Sequence, residues 1–556
     1  MLLLLRDYNE KDAVLFLNFE LWWNILESQV KIEAANYLGE PDQLQLIYSQ
    51  LCECIKTAKR KIEKQKRNEL LFLLAKVVEY SLKSDFVQVP ILNFVLENMQ
   101  IEMNNQEKEE PIDEDDFEFK RMIVNIAKLL CDIPEAKVEL LNAGLLQLSL
   151  RFLNCTPNSQ LSKIYDHDHL SLIQISILGL ICNLIPTVQK EFRMLDGPEI
   201  LMSYLDKLIK DGKDFHSMRI DLVRVHVNLL DTCLLTILAF AEGGPTNKKI
   251  LSSFSIFEKF LALLSRKTPS TEIWIKCLLC CSSLCQGYKA NKQNFGEAGG
   301  VEVMIEFLKY DTCDPKEKER VLLSTVECIW GTICGNFVFE NKFLQLDGMF
   351  YLLELLEMST YENKRHALGC ILDFLENPKA VLHVLQWRTK EKSTKGIEHL
   401  LIALWSFEEE KLEVIQGTFG SISPDSQFPL RGLKSKKIEL LKNGIEPDGG
   451  RAVLEIQENL RAKIYSIFCK LGFEHFSNTL NVKEKTKLAM ISKYLDFKIG
   501  EVWNEIGEEL KYENIRPISP DLCCIRAIEQ TVKAKTMAVI EKQNEIIKKA
   551  EKVAFI

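Results

Sequence analysis

Features that mark several large protein classes are absent from this sequence. No uninterrupted apolar run approaches the ~20 residues that span a bilayer. Residues 1–5 are apolar, but the run ends at Arg6, so it is too short for the core of a signal peptide. The net charge is −9, whereas general nucleic-acid binders are basic. We therefore expect a soluble, intracellular chain with no membrane insertion and no nucleic-acid partner.

The motifs of common catalytic sites are also missing. The sequence contains no G-x-S-x-G elbow, Walker A loop, G-x-G-x-x-G or H-E-x-x-H. Residues 243–248, GGPTNK, lack the spacing of a phosphate-binding loop, and His226 and His383 have no evident nucleophile beside them. We expect no enzyme activity, no catalytic residue and no cofactor.

Two groups of side chains invite a metal-site interpretation. Cys277, Cys280, Cys281 and Cys285 would share one face of a helix with apolar neighbours. A structural zinc site needs a second ligand pair, and none is evident, so core packing is favoured. The run Asp166-His167-Asp168-His169 could coordinate a metal, but polar loops contain such runs by chance. A metal-dependent enzyme is therefore the least supported alternative, and we expect no metal.

Helical periodicity and a repeated unit indicate the fold. Sustained strand alternation is absent, whereas Leu70, Leu71, Leu74, Val77 and Val78 recur at helical spacing. A helix, a short turn that usually contains glycine, and a second leucine-rich helix recur at intervals of about 45 to 58 residues, near the ~40–47 of armadillo and HEAT units. Glycine would end the first helix in a left-handed conformation. The marker positions are Gly144, Gly197, Ser255, Gly300 and Gly348.

The fold class predicted is therefore all-α, with an armadillo/HEAT-like helical solenoid followed by a small C-terminal helical module and a terminal helix. Acidic and Gly/Pro/Ser/Lys-rich stretches mark the predicted linkers. The predicted segments are N-terminal helical repeats (1–106), an acidic linker (107–118), the solenoid (119–416), a second linker (417–451), the helical module (452–522) and the terminal helix (523–556). Spacing in 532–553 indicates a weak coiled-coil seam.

One strongly basic stretch is a candidate binding patch. It could contact an anionic surface such as acidic tubulin tails or nucleic acid, but few aromatics lie among the charges, which weakens the nucleic-acid reading. A solvated helix face is the favoured alternative. The patch comprises Lys56, Lys59, Arg60, Lys61, Lys64, Lys66 and Arg67.

Several strings near the C-terminus are too long to follow from helix patterning alone. They are ENLRAKIY at 458–465, YLDFKIGEVWNEI at 494–506 and IRPI at 515–518, with ENPKA at 376–380 and DGMF at 347–350. The chain resembles the cilia- and flagella-associated protein 69 family in these strings, and more loosely before about residue 170. Family members extend further at both ends, so we expect a truncated product, an isoform or a divergent relative.

The resemblance implies a non-catalytic scaffold in the cytoplasm and in the axoneme of cilia and flagella. It implies partners in the axonemal central apparatus, and roles in sperm flagellum assembly and stability and in olfactory cilia. The basic patch adds the microtubule surface as a candidate partner. The alternative is a cytosolic armadillo adaptor for trafficking or import. Importin-type adaptors carry Trp and Asn four residues apart, whereas Trp330 and Asn336 are six apart.

The string at 494–506 also suggests a binding face. Leu495, Ile499, Val502, Trp503, Ile506 and Leu510 form an apolar stripe, predicted to pack on Ile464, Phe468 and Leu471. The polar residues between them would then face outward, where polar pairing selects partners. The candidate partner-binding residues are Lys498, Glu501, Asn504, Glu505 and Glu508.

Overall fold

A computed structural model describes residues 12–80, 90–100, 112–154, 160–212, 219–266, 270–389, 395–423, 426, 428–432, 460–476 and 479–554. The predicted all-α class is confirmed: within these ranges the backbone forms helices, short turns and two isolated β-bridges. Residues 1–5 lie outside the described part. The chain divides into two compact units, Met1–Ala298 and Gly299–Ile556.

The first unit is built entirely from helices in its described ranges. They are α1 (Asp12–Glu27), α2 (Lys31–Leu38), α3 (Pro41–Thr57), α4 (Lys61–Tyr80), α5 (Ile91–Met99), α6 (Glu114–Leu130), α7 (Pro134–Asn142), α8 (Leu145–Leu153), α9 (Gln160–Ile164), α10 (His167–Met194), α11 (Gly197–Asp211), α12 (Ile220–Ala241), α13 (Pro245–Ser252), α14 (Ile256–Leu264), α15 (Thr271–Cys285) and α16 (Lys289–Glu297).

The second unit begins with repeats and ends with longer helices. They are α17 (Gly300–Leu308), α18 (Pro315–Thr332), α19 (Phe337–Gln345), α20 (Gly348–Met358), α21 (Tyr361–Phe374), α22 (Pro378–Gln386), α23 (Ile397–Lys411), α24 (Leu460–Leu471), α25 (Val482–Ile491), α26 (Tyr494–Tyr512) and α27 (Ser519–Ala554). Single 3₁₀ turns occur at Thr418–Gly420 and Phe473–Phe476.

The repeated turn is present at all five marker positions, but its geometry corrects one detail. The left-handed residue is Gly144 or Ser255 at two turns, and elsewhere it is the residue before the marker: Asp196, Gly299 and Asp347. Gly197 and Gly348 have a different role, because a Cβ at either would lie 2.5 Å from the ring of Phe192 or Phe343. These two glycines allow the aromatic ring to close over the turn.

Rows of long helices form the core of each unit. In the first unit α4, α6, α10, α12 and α15 pack successively against one another, and in the second α18, α21 and α24 do the same. A buried asparagine marks equivalent turns: Asn247 Nδ2 donates to Phe240 O (2.8 Å), and Asn291 Nδ2 donates to Leu284 O (2.9 Å). Since each donor caps the preceding long helix, these two repeats of the first unit are copies of one design.

Two core helices are more apolar than expected. By length and composition α10 and α12 could each cross a membrane, although polar residues such as Gln174 and Asp231 interrupt the apolar run of each helix. In the structure the two helices pack against each other within the row of long helices. Leu178, Ile181, Leu234 and Ile237 are fully buried there, and core helices of soluble proteins pass the same test of composition.

The predicted linkers need correction where they are described. Helix α6 begins at Glu114 with Asp113 as its N-cap, so residues 113–118 are not linker; residues 107–111 lie outside the described part. Residues 417–423 and 428–432 are also packed: Ile422 and Leu430 are buried, and Val414 bridges Gly432. Residues 433–451 lie outside the described part. In both stretches the polar composition suggested a linker, although the residues pack against distant parts of the chain.

The C-terminal helices continue the second unit instead of forming a separate module. Helix α24 packs on α21 and α23, and Lys463 Nζ donates to Arg365 O at 2.8 Å. Helices α25 and α26 are two separate helices over residues 482–491 and 494–512. The predicted seam of α27 faces its own chain, since Thr536, Val539 and Gln543 are buried and α27 packs on α25 and α26.

Candidate partner-binding surfaces

Part of the basic patch is already engaged within the first unit. Lys64 Nζ lies 2.5 Å from Asp113 Oδ2 and 2.6 Å from Asp116 Oδ2. Arg67 Nη1 lies 2.9 Å from Asp116 Oδ1, and its Nη2 donates to the Asp115 carbonyl. The predicted basic patch and the predicted acidic linker therefore join α4 to the start of α6, where carboxylates also complement the helix dipole.

The pKa values of Asp113 and Lys64 are shifted as expected for an ion pair within the chain. Burial raises the pKa of Asp113, but hydrogen bonds from Lys64 and from the Asp116 amide outweigh it and hold that pKa below its usual value. Burial lowers the pKa of Lys64, but hydrogen bonds to Asp113 and Asp116 dominate and raise it. The Arg67 guanidinium also lies 4.3 Å from the centre of the Phe119 ring. Lys64 and Arg67 therefore act in folding and are not an open binding face.

The remaining basic residues lie around the α3–α4 turn. Arg60 is paired with Glu63 at 2.7 Å. Hydrogen bonds from the Arg60 amide, the Arg60 side chain and the Lys59 amide lower the pKa of Glu63 to about 2. Lys66 is half-buried, whereas Lys56, Lys59 and Lys61 are exposed. The candidate patch is thus reduced to three exposed lysines around one turn.

The candidate polar face on α26 is only partly a surface. Lys498 and Glu501 are each 2% exposed and form a buried ion pair, with Nζ 2.7 Å from Oε2. Glu505 is half-buried and lies 3.5 Å from Arg431 Nη2. Asn504 Nδ2 donates to the exposed Glu508 at 2.9 Å. The expectation that all five residues face solvent is wrong for Lys498 and Glu501, because their mutual pairing lets them enter the interior.

The apolar stripe of α26 is reversed as well. Leu495, Ile499 and Ile506 are 50%, 47% and 36% exposed, and the buried residues of this helix are Tyr494, Phe497, Lys498 and Glu501. The predicted packing on Ile464, Phe468 and Leu471 is therefore wrong for these three exposed residues, whereas Val502, Trp503 and Leu510 are half-buried. Tyr494 meets Trp405 and Tyr465 in aromatic contacts on the inner side. Aromatic packing and the buried ion pair set the orientation of α26.

A buried polar cluster holds the C-terminal helices and was not anticipated. Glu409 of α23 pairs with Lys487 of α25, and both side chains are at most 1% exposed. Glu409 also accepts from Trp405 Nε1 and Gln416 Nε2, each at 2.8 Å. Gln543 of α27 donates to Thr486 O at 2.8 Å and accepts from the Ile422 amide at 3.0 Å. These residues lie far apart in the sequence, and no spacing pattern predicts their contacts.

The residues considered as metal ligands have structural surroundings. Cys277, Cys280, Cys281 and Cys285 are fully buried, which confirms core packing. Asp166 caps α10 by accepting from the His169 amide, and the His169 ring stacks on Phe117 at 4.0 Å. Within the described ranges no group of three or more His, Cys, Asp or Glu could hold a metal ion.

Trp330 and Asn336 do not form an adaptor-type groove pair. Trp330 Nε1 donates to Asp373 at 2.6 Å, and its ring lies over Gly369, where a Cβ would come within 2.5 Å. Asn336 caps α19 by accepting from the Val338 amide. Trp330 therefore joins α18 to α21.

Comparison with known proteins assigns the family. The model for "Cilia- and flagella-associated protein 69, ARM repeat" matches residues 1–506. The proteins of that name from Homo sapiens and Callithrix jacchus are each 28% identical, over 98% of this chain and 59% of their own length. The chain thus spans about three fifths of these relatives. The crystal structure of SYS-1 aligns with 94% of the chain and 87% of its own at 12% identity, TM-score 0.50, a likeness of fold alone. The chain is an armadillo-like helical solenoid that belongs to the cilia- and flagella-associated protein 69 family.

Proposed function

We propose that this chain is a non-catalytic scaffold of the cilium or flagellum, located in the cytoplasm and at the axoneme. The observation that carries the proposal is the family match over residues 1–506, together with relatives named for cilia and flagella that align with 98% of the chain. A stacked helical array offers a long surface built from separate repeats. Such a surface allows one protein to bind several others at fixed positions relative to each other.

The finer role follows the family resemblance. The proposed partners are other axonemal proteins, chiefly of the central apparatus, and the proposed processes are sperm flagellum assembly and stability and olfactory cilium function. Catalysis, a cofactor, nucleic-acid binding and membrane insertion form no part of the proposal. The net charge of −9 supports the omission of nucleic acid.

A weak contact with the microtubule surface is a second element of the proposal. Lys56, Lys59 and Lys61 are exposed around one turn, and acidic polypeptide tails would be attracted to them. Three exposed lysines make a salt-sensitive contact, because exposed charges are screened over about 8 Å at physiological ionic strength. The contact would therefore assist docking of the scaffold and would not replace its protein partners.

Binding to detergent-extracted axonemes tests this scheme. The full chain should sediment with axonemes, and the fraction bound should fall as salt rises. The variant Lys56→Glu/Lys59→Glu/Lys61→Glu should bind more weakly at low salt. A control with the same charge change, Lys249→Glu/Lys289→Glu/Lys316→Glu, alters lysines that are also exposed and should bind like the unaltered chain. Equal loss in both triple variants would reduce the effect to net charge and contradict the microtubule contact.

The alternative of a cytosolic adaptor for trafficking or import remains the second candidate. The bond between Trp330 and Asp373 and the capping role of Asn336 weigh against it, since adaptor grooves present these residue types to peptide. A basic import-signal peptide that bound the chain, and failed to bind after Trp330→Ala, would favour the adaptor.

A further inference from the structure

Helix α26 buries charged residues and exposes aliphatic ones, the reverse of an ordinary amphipathic helix. Its inner side carries Lys498 and Glu501, and its outer side carries Leu495, Ile499 and Ile506, all at least 36% exposed. Positions 495, 499 and 506 are separated by four and seven residues, so the three aliphatic side chains lie along one helical face. An aliphatic row turned to solvent while an ion pair is turned inward is the pattern of a helix that is covered by another molecule.

The region next to this row is also incompletely packed. Helices α26 and α27 are close neighbours, since a Cβ on Gly500 would lie 2.6 Å from Val532 Cγ1, and Lys535 Nζ lies 2.5 Å from Asp496. Beyond this point the pair packs loosely, because no residue from 502 to 535 is buried, although Glu505 still meets Arg431. Two helices that pack only against each other leave exposed the apolar residues outside their shared seam. The half-exposed apolar residues are Val502, Trp503, Leu510, Leu522, Ile525 and Ile528.

The charges beside the row indicate what could cover it. The exposed charges on the same side of α26 as the row are Glu509 and Glu513, three and seven residues after Ile506. A second copy of this chain would present the same acidic residues, and like charges would oppose each other. A segment rich in Lys or Arg would be attracted. An anionic membrane is disfavoured for the same reason as a second copy.

We propose that the outer face of α26 is a docking surface for an amphipathic helix of a partner protein. The partner helix carries aliphatic residues at helical spacing, flanked by Lys or Arg. Its aliphatic side would cover Leu495, Ile499 and Ile506 in the helix-against-helix mode of recognition, and its basic flank would meet Glu509 and Glu513. This proposed surface does not depend on where in the cell the protein lies, so it goes beyond the proposed ciliary function.

The test is selection of helices from a displayed library of 18-residue peptides that are randomised along one face. With the full chain as bait, the selected helices should carry aliphatic residues at spacings of three, four or seven with Lys or Arg beside them. They should lose at least tenfold in affinity for Leu495→Ser/Ile499→Ser/Ile506→Ser. They should keep their affinity for Ile220→Ser/Val338→Ser/Leu382→Ser, which alters aliphatic residues that are more exposed.

A second variant tests the charge argument separately. Glu509→Lys/Glu513→Lys should weaken the binding of the basic helices at least tenfold at low salt and less at high salt. The proposal is overturned if no helix is selected, if the selected helices bind the serine variant of the row as well as the unaltered chain, or if they lack basic residues. It is equally overturned if sedimentation shows a dimer that the serine variant of the row abolishes, since a second copy would then be the occupant.

Discussion

Removing one partner from the buried Lys487–Glu409 pair should open the C-terminal helices of the second unit. Both side chains are at most 1% exposed. Burial lowers the pKa of Lys487, and the charge and hydrogen bond of Glu409 only partly offset that effect. Breaking a buried ion pair by truncating one member typically costs about 3–5 kcal/mol, because the other charge remains buried without its partner.

The two single substitutions should differ because the two groups have different remaining partners. After Lys487→Met, Glu409 still accepts from Trp405 Nε1 and Gln416 Nε2, so we expect a loss of about 3 kcal/mol, the lower end of that range. After Glu409→Leu, the ammonium and both donors lose their acceptor, and we expect about 5 kcal/mol. The double variant removes both charges and should be more stable than Glu409→Leu alone.

Hydrogen exchange of the amides in α25 measures these values directly. At about 1.4 kcal/mol per tenfold, exchange should accelerate by about two decades in Lys487→Met and by three to four decades in Glu409→Leu. Amides of α12, in the first unit, serve as the internal control and should not change. Equal acceleration in the two single variants, or a double variant worse than either one, would refute the reasoning from remaining partners.

Further expectations concern the first unit and the repeated turns. Gly348→Ala and Gly197→Ala should destabilise by about 1–3 kcal/mol because the added Cβ meets Phe343 or Phe192, whereas Ser255→Gly, at φ 51°, should stabilise by about 1 kcal/mol; urea denaturation distinguishes them. Lys64→Glu should expose the start of α6 to protease, and Lys64→Glu/Asp113→Lys should restore part of the protection. The lowered pKa of Asp113 stabilises the fold above the ordinary carboxyl pKa, so the urea midpoint should fall as pH drops through the folded-state pKa, less steeply in Asp113→Asn.

The repeat architecture could be predicted because its signals are local. Helical periodicity and a turn residue every repeat are visible within a window of one unit. The turn persisted even at Ser255, where glycine is absent and the backbone still adopts φ 51°. The four cysteines of α15 were placed correctly for the same reason, since their apolar neighbours lie within the same helix.

The surfaces were harder to predict because distant residues decide them. Lys64 meets Asp113 across 49 positions in the chain, and Lys487 meets Glu409 across 78. A basic stretch and an acidic stretch of similar length did signal the first contact, but treating each alone as a solvated segment concealed it. No such signal predicted the orientation of α26. The hydrophobic pattern of a helix places charged residues outside, whereas Lys498 and Glu501 neutralise each other and are buried as a pair.

Imaging of the tagged chain in ciliated cells tests the central claim most directly. The scaffold proposal expects fluorescence along the axoneme that survives detergent extraction, while the free tag is washed out. Uniform cytoplasmic fluorescence that extraction removes as completely as the free tag, in cells whose cilia are intact, would contradict a ciliary scaffold.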